Sequence, residues 1–141
     1  MAVRELGTGL VTLDSSALIA IFDTSDQFHA SVVAVVDQEP GPLIMPVAIM
    51  AEVAYFIERK AGQRTLAALI EDVLAGAYSL DYLDSSWPRV LELIRRYEDL
   101  PLGLADAAVI ECAERHGGRV LTLDRRHFGV VEREGTIQVL P

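Results

Sequence analysis

Four acidic residues of this chain are placed where they could act together. Two apolar, β-type segments each end in an aspartate: residues 11–14 end in Asp14, and residues 121–124 end in Asp124. Glu52 and Asp106 lie in segments with helical spacing, and Asp106 falls inside the apolar arc of its helix. If the carboxylates converge, pairs about 4 Å apart repel by about 4 kcal/mol at an effective dielectric of about 20. Protonation or a divalent cation must offset this repulsion, and a hard cation with oxygen ligands, Mg²⁺ or Mn²⁺, is the natural candidate.

The spacing of apolar residues predicts the elements that position these acids. Strands are predicted at 10–13, 43–45, 78–83, 119–123 and 136–140, and helices begin at 15 and 26 and span 47–60, 64–75, 88–97 and 104–116. Alternating strands and helices predict an α/β fold with a central parallel sheet of about four to five strands in a three-layer α/β/α arrangement. Ligands of such sheets bind beyond the carboxyl ends of the strands, where Asp14 and Asp124 are expected.

Composition limits the class of protein. The 141 residues fit one domain, predicted at 10–141 after an N-terminal extension, 1–9, of unknown role. With Cys112 as the only cysteine, no disulfide can close within the chain. No secretory signal or membrane-spanning run is recognisable, so a soluble cytoplasmic protein without membrane association is expected. The net charge of −9 argues against stable non-specific binding of nucleic acid.

Each acid also has a purely structural interpretation. Asp14 and Asp124 could be helix N-caps, a common role for aspartate after a strand. Glu52 could be a solvated helix residue, and Asp106 could be a buried acid paired with an arginine. These alternatives stay open for single residues, whereas the four acids together favour a common site.

The motifs around these acids resemble those of a known family. Asp14 begins the segment Asp-Ser-Ser-Ala-Leu, Glu52 lies in a mid-chain helix, Asp106 lies in Leu-Ala-Asp-Ala-Ala, and Asp124 lies in Leu-Thr-Leu-Asp-Arg-Arg-His-Phe. Together they resemble the PIN-domain ribonucleases, and most of all the VapC-type toxins of bacterial toxin–antitoxin pairs. Each motif is weak alone, but four in order, over residues 11–140, form a specific pattern.

This resemblance implies roles for particular residues. The four acids match the family's metal-binding and catalytic quartet, with Mg²⁺ as cofactor and Mn²⁺ as a substitute. Ser16 matches the small hydroxyl residue that accompanies the first acid, and Thr122 is a further supporting residue. Asp99 lies where the family often has an additional acid.

The resemblance also implies a function and partners. The protein would be an Mg²⁺-dependent endoribonuclease toxin that hydrolyses RNA phosphodiester bonds and is neutralised by a cognate VapB-type antitoxin. A homodimer is typical of the family, and the apolar helices at 26–36 or 64–75 could supply its interface. Arg119, Arg125 and Arg126 are candidates for contacts to the RNA backbone, although a merely solvated surface is an equal alternative.

Three other classes of protein were weighed against this one. A catalytically inert PIN-like binding module with structural carboxylates remains the main alternative. A phosphoacceptor signalling domain is disfavoured, because it needs a lysine after a late strand and Lys60 lies in a mid-chain helix. A histidine-based metal site is disfavoured because His29, His116 and His127 lack the spacing of a zinc motif and are expected at the surface.

Overall fold

The computed structural model describes residue 7, residues 9–84 and residues 86–141, which form a parallel sheet with helices packed against it. Within these residues the five strands are β1 (Thr12–Leu13), β2 (Leu43–Pro46), β3 (Tyr78–Asp81), β4 (Arg119–Leu121) and β5 (Gln138–Leu140). The α-helices of the same residues are α1 (Ser15–Phe22), α2 (His29–Asp37), α3 (Met50–Lys60), α4 (Gln63–Leu74), α5 (Trp87–Arg96), α6 (Leu104–Arg115) and α7 (Arg125–Glu132). A 3₁₀ turn, Val47–Ile49, leads into α3.

The strand order creates a crevice beside β1. The order is β3-β2-β1-β4-β5, and all neighbouring strands are parallel. In the register, Thr12 lies opposite Ile44 on one side and Val120 on the other. From β1 the chain builds the sheet outward through β2 and β3, and then returns to add β4 and β5 on the other side. Ligands of open parallel sheets bind at this reversal point, which here lies between the carboxyl ends of β1 and β4. The predicted α/β fold is confirmed.

Helix α6 packs against the sheet along most of its length. Seven consecutive residues, 107–113, are buried, and the helix contacts β1, β2 and β4. Alanines at 107, 108 and 113 allow close approach to the strands. Because α6 leads directly into the parallel strand β4, it runs opposite to the strands. Its first turn, which contains Asp106, therefore lies at the edge where the strands end.

The structure differs from the prediction at several boundaries. The β1, β4 and β5 strands are shorter than expected, and the predicted helix at 47–60 is divided into the 3₁₀ turn and α3. Helix α2 begins at His29 rather than 26, because Asp26 Oδ1 accepts the Phe28 N–H (2.8 Å) in a turn before the helix. Helix α7 is absent from the predicted elements, although Asp124 was considered as a helix N-cap.

Two further expectations concern the termini and membranes. The predicted extension at 1–9 lies largely outside the described residues, which include only Gly7 and Gly9 of that segment. The N–H of Gly7 donates to the carbonyl of Gly117 (2.9 Å), at the turn before β4. Among the described residues, no helix is both long enough and apolar enough to cross a membrane.

Candidate metal centre

Asp14 lies at the end of β1 with its carboxylate buried. Only 4% of the residue is exposed, and Oδ2 accepts hydrogen bonds from the hydroxyls of Ser16 (2.9 Å) and Thr122 (2.8 Å). Asp14 is at the N-cap position of α1, but its side chain makes no capping hydrogen bond to that helix. The N-cap alternative therefore does not explain this carboxylate. Its side chain is held by hydroxyls from two elements at the crevice.

Thr122 connects the two strand-end aspartates. Its Oγ1 donates to Asp14 and accepts the backbone N–H of Asp124 (3.0 Å). The Ser16 hydroxyl accepts the N–H of Leu123 (2.9 Å), which ties the start of α1 to the segment after β4. Because Thr122 is fully buried, these hydrogen bonds are sheltered from water. The chain after β1 and the chain after β4 are thus locked together at the reversal point.

Asp124 caps α7 and faces a histidine. Oδ1 accepts the N–H of His127 (3.1 Å), and Oδ2 lies 2.8 Å from Nδ1 of the same residue. The N-cap interpretation of Asp124 is correct, but it does not exclude a second role, since each carboxylate oxygen has a further lone pair. His127 was expected at the surface, whereas only 21% of its side chain is exposed.

The third acid, Asp106, is in the first turn of α6 and half-buried. Burial and the negative charge of Asp14 raise the pKa of Asp106 above its ordinary value, and Asp124 adds to this increase. The charge of His127 lowers the pKa of Asp106. The pKa of Asp14 is raised too, by burial above all and also by Asp124, against the lowering effect of the Thr122 and Ser16 hydroxyls. Thr122 links Asp14 to the segment of Asp124, and the first turn of α6 carries Asp106 at the same edge of the sheet.

Glu52 and Asp99 are placed less closely. Glu52 is exposed in the first turn of α3, directly after the 3₁₀ turn that contacts α6. It is not among the principal causes of the pKa shifts of Asp14 or Asp106. Asp99 is exposed in the turn between α5 and α6. The structure thus links Asp14 to the segment of Asp124 through Thr122 and places Asp106 and Glu52 in the first turns of α6 and α3.

The three arginine candidates are in different settings. Arg119 begins β4, at the edge opposite the acids, and its guanidinium donates to both carboxylate oxygens of Glu39 (2.5 and 2.8 Å). Arg125 and Arg126 are exposed in the first turn of α7, directly after Asp124. Arg125 also donates to the carbonyl of Pro141 (2.5 Å). Only the α7 arginines lie on the acidic side of the sheet.

Arginine pairing does not neutralise the acids. Lysine and arginine form ion pairs with other carboxylates than Asp14, Asp106 and Asp124 among the residues that the structure describes, 7, 9–84 and 86–141. The alternative that Asp106 is a buried acid paired with arginine is therefore not seen in this part of the chain. The pKa values of Asp14, which two hydroxyls hold, and of Asp106 are raised mainly by burial, and carboxylate oxygens of this kind suit a hard divalent cation.

A second cluster lies toward the other end of α6. The possible ligand atoms of Asp81, Cys112 and His116 are all within 4.8 Å of one another. Arg115 donates to both carboxylate oxygens of Asp81 (2.9 and 2.6 Å), and burial raises the pKa of Cys112 to about 12, so the thiol is protonated. These groups neutralise and hydrogen-bond one another without a metal. The three histidines contact different partners: His116 faces Asp81, His29 contacts the Ala20 carbonyl and His127 contacts Asp124.

The fold and the acidic cluster define the class of this protein: an α/β domain with a carboxylate centre at the reversal point of a parallel sheet. The family model of the PIN domain matches residues 11–133. The ribonuclease VapC26 of Mycobacterium tuberculosis is 31% identical over 125 residues, which cover 87% of this chain and 93% of that protein. The chain therefore belongs to the PIN-domain family, whose nucleases use divalent metals, and the predicted resemblance is confirmed.

Solved structures share the fold. The toxin VapC20 of Mycobacterium tuberculosis, described as cleaving the sarcin–ricin loop, has a TM-score of 0.76 at 16% identity and covers 93% of this chain and 99% of that one. The DNA-bound VapBC complex of Salmonella typhimurium has a TM-score of 0.67 at 16% identity, over 94% of this chain and 97% of that one. FitAcB of Neisseria gonorrhoeae has a TM-score of 0.65 at 17% identity, over 94% and 97%. At these identities the likeness shows the fold.

Proposed function

We propose that this protein is a metal-dependent endoribonuclease that hydrolyses phosphodiester bonds in RNA. The observation that carries the proposal is the hydrogen-bonded link through Thr122 between Asp14 and the segment of Asp124 at the reversal point of the sheet, with Asp106 in the first turn of α6. Its relationship to the ribonuclease VapC26 supports RNA as the substrate. Mg²⁺ is the proposed cation and Mn²⁺ its substitute, because all the proposed ligands are hard oxygen donors.

Asp14, Asp106 and Asp124 would hold the cation, with Glu52 contributing from the rim. When bound, Mg²⁺ supplies a water of lowered pKa and neutralises charge on the phosphate. The hydroxyls of Ser16 and Thr122 orient the Asp14 carboxylate through its Oδ2. No side-chain nucleophile is required, since the attacking group is water.

The α7 arginines are the proposed contacts to the RNA backbone. Arg125 and Arg126 are exposed beside Asp124, where a phosphate that approaches the acids would pass. The remaining surface is dominated by negative charge, with a net charge of −9. Binding should therefore depend on the site itself, which favours accessible single-stranded loops over general coating of RNA.

We further propose that a small VapB-type antitoxin inhibits the enzyme in the cytoplasm. The VapBC complexes of Salmonella typhimurium and Rickettsia felis share the fold of this chain and contain such a partner. A partner segment that carries an arginine would complement the acidic cluster. Coexpression with a cognate VapB-type antitoxin should yield a stable complex without RNase activity, and free, active protein in that preparation would refute the pairing.

A homodimer through α4 is the proposed assembly. Ile70 and Leu74 lie one turn apart on α4 and are 43% and 82% exposed. Leu74→Glu should convert a dimer into a monomer in light scattering coupled to size exclusion, with Glu71→Gln on the same helix as the control. A wild-type protein that is monomeric at micromolar concentration would contradict this proposal.

The activity test compares a site acid with an acid outside the site. Purified protein should cleave RNA in Mg²⁺ or Mn²⁺ and stop in EDTA. Asp106→Asn should reduce the cleavage rate at least about 100-fold while the protein stays folded, because it removes one ligand. Asp37→Asn, at the exposed end of α2, should cleave like the wild type. Folded wild-type protein that binds RNA without cutting it would favour the inert binding module.

Glu52 needs a separate comparison on its own helix. Glu52→Gln is expected to raise the Mg²⁺ concentration needed for half-maximal cleavage, because it removes a rim carboxylate. Glu58→Gln is the matched control, since Glu58 is also exposed and lies on α3. Equal Mg²⁺ dependence of the two variants would remove Glu52 from the proposed ligands.

A further inference from the structure

His127 contacts the Asp124 carboxylate in two ways. Its backbone N–H donates to Oδ1 (3.1 Å), and its ring Nδ1 lies 2.8 Å from Oδ2. One residue therefore engages both carboxylate oxygens. The contact is partly sheltered, with 21% of the His127 side chain and 32% of the Asp124 side chain exposed. The sequence alone gave no reason to place this ring at the acids.

The hydrogen bond determines which ring nitrogen carries the proton. A carboxylate only accepts hydrogen bonds, so Nδ1 must be the donor to Asp124. The Nδ1–H donor holds Oδ2 of Asp124, and the backbone N–H of His127 holds Oδ1. Together they fix the rotamer of the carboxylate. Each oxygen keeps a lone pair on the side away from His127.

We propose that His127 is a positioning residue of the metal centre, which orients the Asp124 carboxylate so that its remaining lone pairs face the cation held with Asp14 and Asp106. This inference rests on the proposed function. Outer partners that orient a metal-binding carboxylate or imidazole typically contribute 10–100-fold to metal affinity. The ring acts through Asp124 and is not itself a ligand in this proposal.

Two amide replacements separate the donor from the ring. In His127→Asn the side-chain amide nitrogen lies about where Nδ1 lies in histidine, so it can still donate to Asp124. In His127→Gln the amide nitrogen lies about where Nε2 lies and misses the carboxylate. His127→Ala removes the donor and retains the backbone capping hydrogen bond. Of the three variants, His127→Asn alone keeps the side-chain hydrogen bond to Asp124. His29→Asn serves as a control, because His29 contacts the Ala20 carbonyl on α1.

The measurement is Mn²⁺ binding by calorimetry to the full chain without RNA. His127→Ala and His127→Gln should weaken Mn²⁺ binding about 10-fold or more, whereas His127→Asn and the His29→Asn control should stay within about threefold of the wild type. Urea denaturation in EDTA verifies that each variant is folded. If all three His127 variants bind Mn²⁺ like the wild type, or if Asn weakens binding as much as Ala, the positioning role is refuted.

A spectroscopic measurement on the wild type keeps the inference testable if a variant does not fold. Long-range ¹H–¹⁵N correlation of the imidazole should show the Nδ1-protonated tautomer for His127 in the neutral ring, and an Nε2-protonated tautomer would overturn the proposal. The outcomes also separate the two levels of inference. Wild-type protein that binds no Mn²⁺ refutes the proposed function, whereas normal binding with unaffected His127 variants refutes the positioning role alone.

Discussion

Replacing Asp14 by asparagine is expected to stabilise the metal-free protein at neutral pH while abolishing binding of the cation. The asparagine carbonyl oxygen can accept the same hydrogen bonds from Ser16 and Thr122 that Asp14 Oδ2 accepts. The amide group replaces an oxygen that is buried close to two other acids. The substitution therefore removes charge without removing the hydroxyl contacts. When like-charged residues repel one another at a binding site, the folded protein becomes more stable if one of them loses its charge.

The size of this effect follows from burial and like charge. Only 4% of Asp14 is exposed, and its pKa is raised by burial and by Asp124. A like charge about 6 Å away costs about 3 kcal/mol at an effective dielectric of about 20, and partial protonation relieves part of this cost. The free energy of unfolding should therefore rise by about 1–3 kcal/mol in EDTA. For a domain of this size that corresponds to about 3–10 °C in Tm.

The pH dependence gives the prediction its sign. The folded-state pKa of Asp14 lies above its ordinary value of 3.8, so folding takes up a proton between these two values. The stability contributed by this residue is complete below the ordinary value and is lost as the pH rises through the folded-state pKa. The asparagine variant lacks this loss. The difference between variant and wild type should be small near pH 3 and grow toward neutral pH.

The assay is urea denaturation in EDTA across this pH range, with Asp37→Asn as the control. Asp37 is exposed at the end of α2, so its substitution should change stability by less than about 0.5 kcal/mol. Added Mg²⁺ should stabilise the wild type and not the Asp14→Asn variant. A variant that is less stable than the wild type in EDTA at pH 7, or a difference that does not grow with pH, would contradict the electrostatic account of the site.

Three further predictions concern the supports of the site and of α6. Thr122→Val should lower the free energy of unfolding by about 1–3 kcal/mol in urea denaturation, because it leaves the buried Asp14 Oδ2 with only the Ser16 donor and the Asp124 N–H without its Thr122 acceptor. Arg115→Met should lower the free energy of unfolding by about 2–4 kcal/mol in the same measurement, since it leaves the buried Glu111 carboxylate without its partner (2.5 Å). A decrease below about 0.5 kcal/mol, which is on the order of an ordinary surface substitution, would contradict this prediction. Cys112 should resist a thiol reagent at pH 8 until the protein unfolds, because the thiol is fully buried and its pKa is raised to about 12; rapid labelling of the folded protein would show that it is accessible.

Local sequence patterns predicted the elements well because their physical causes are local. The alternation of apolar strands and amphipathic helices gave the parallel α/β class, and Asp14 was correctly expected at the end of its strand. Helix α7 was missed because its first turn, with Arg125 and Arg126, lacks an apolar periodicity, and its cap depends on the Asp124 side chain. A segment that ends a strand and begins a helix within three residues is ambiguous by periodicity alone.

The sequence by itself determined the acids, their order and the sheet edge to which they belong, because strand direction and helix spacing are encoded by neighbouring residues. Only the tertiary structure decided which of them meet. It joined Asp14 to the segment of Asp124 through Thr122, left Glu52 exposed on α3, and paired Arg119 with Glu39 at the opposite edge. It also placed His127 against Asp124. These outcomes depend on strand order and on helix packing between distant segments. Local patterns in a single sequence do not specify such contacts.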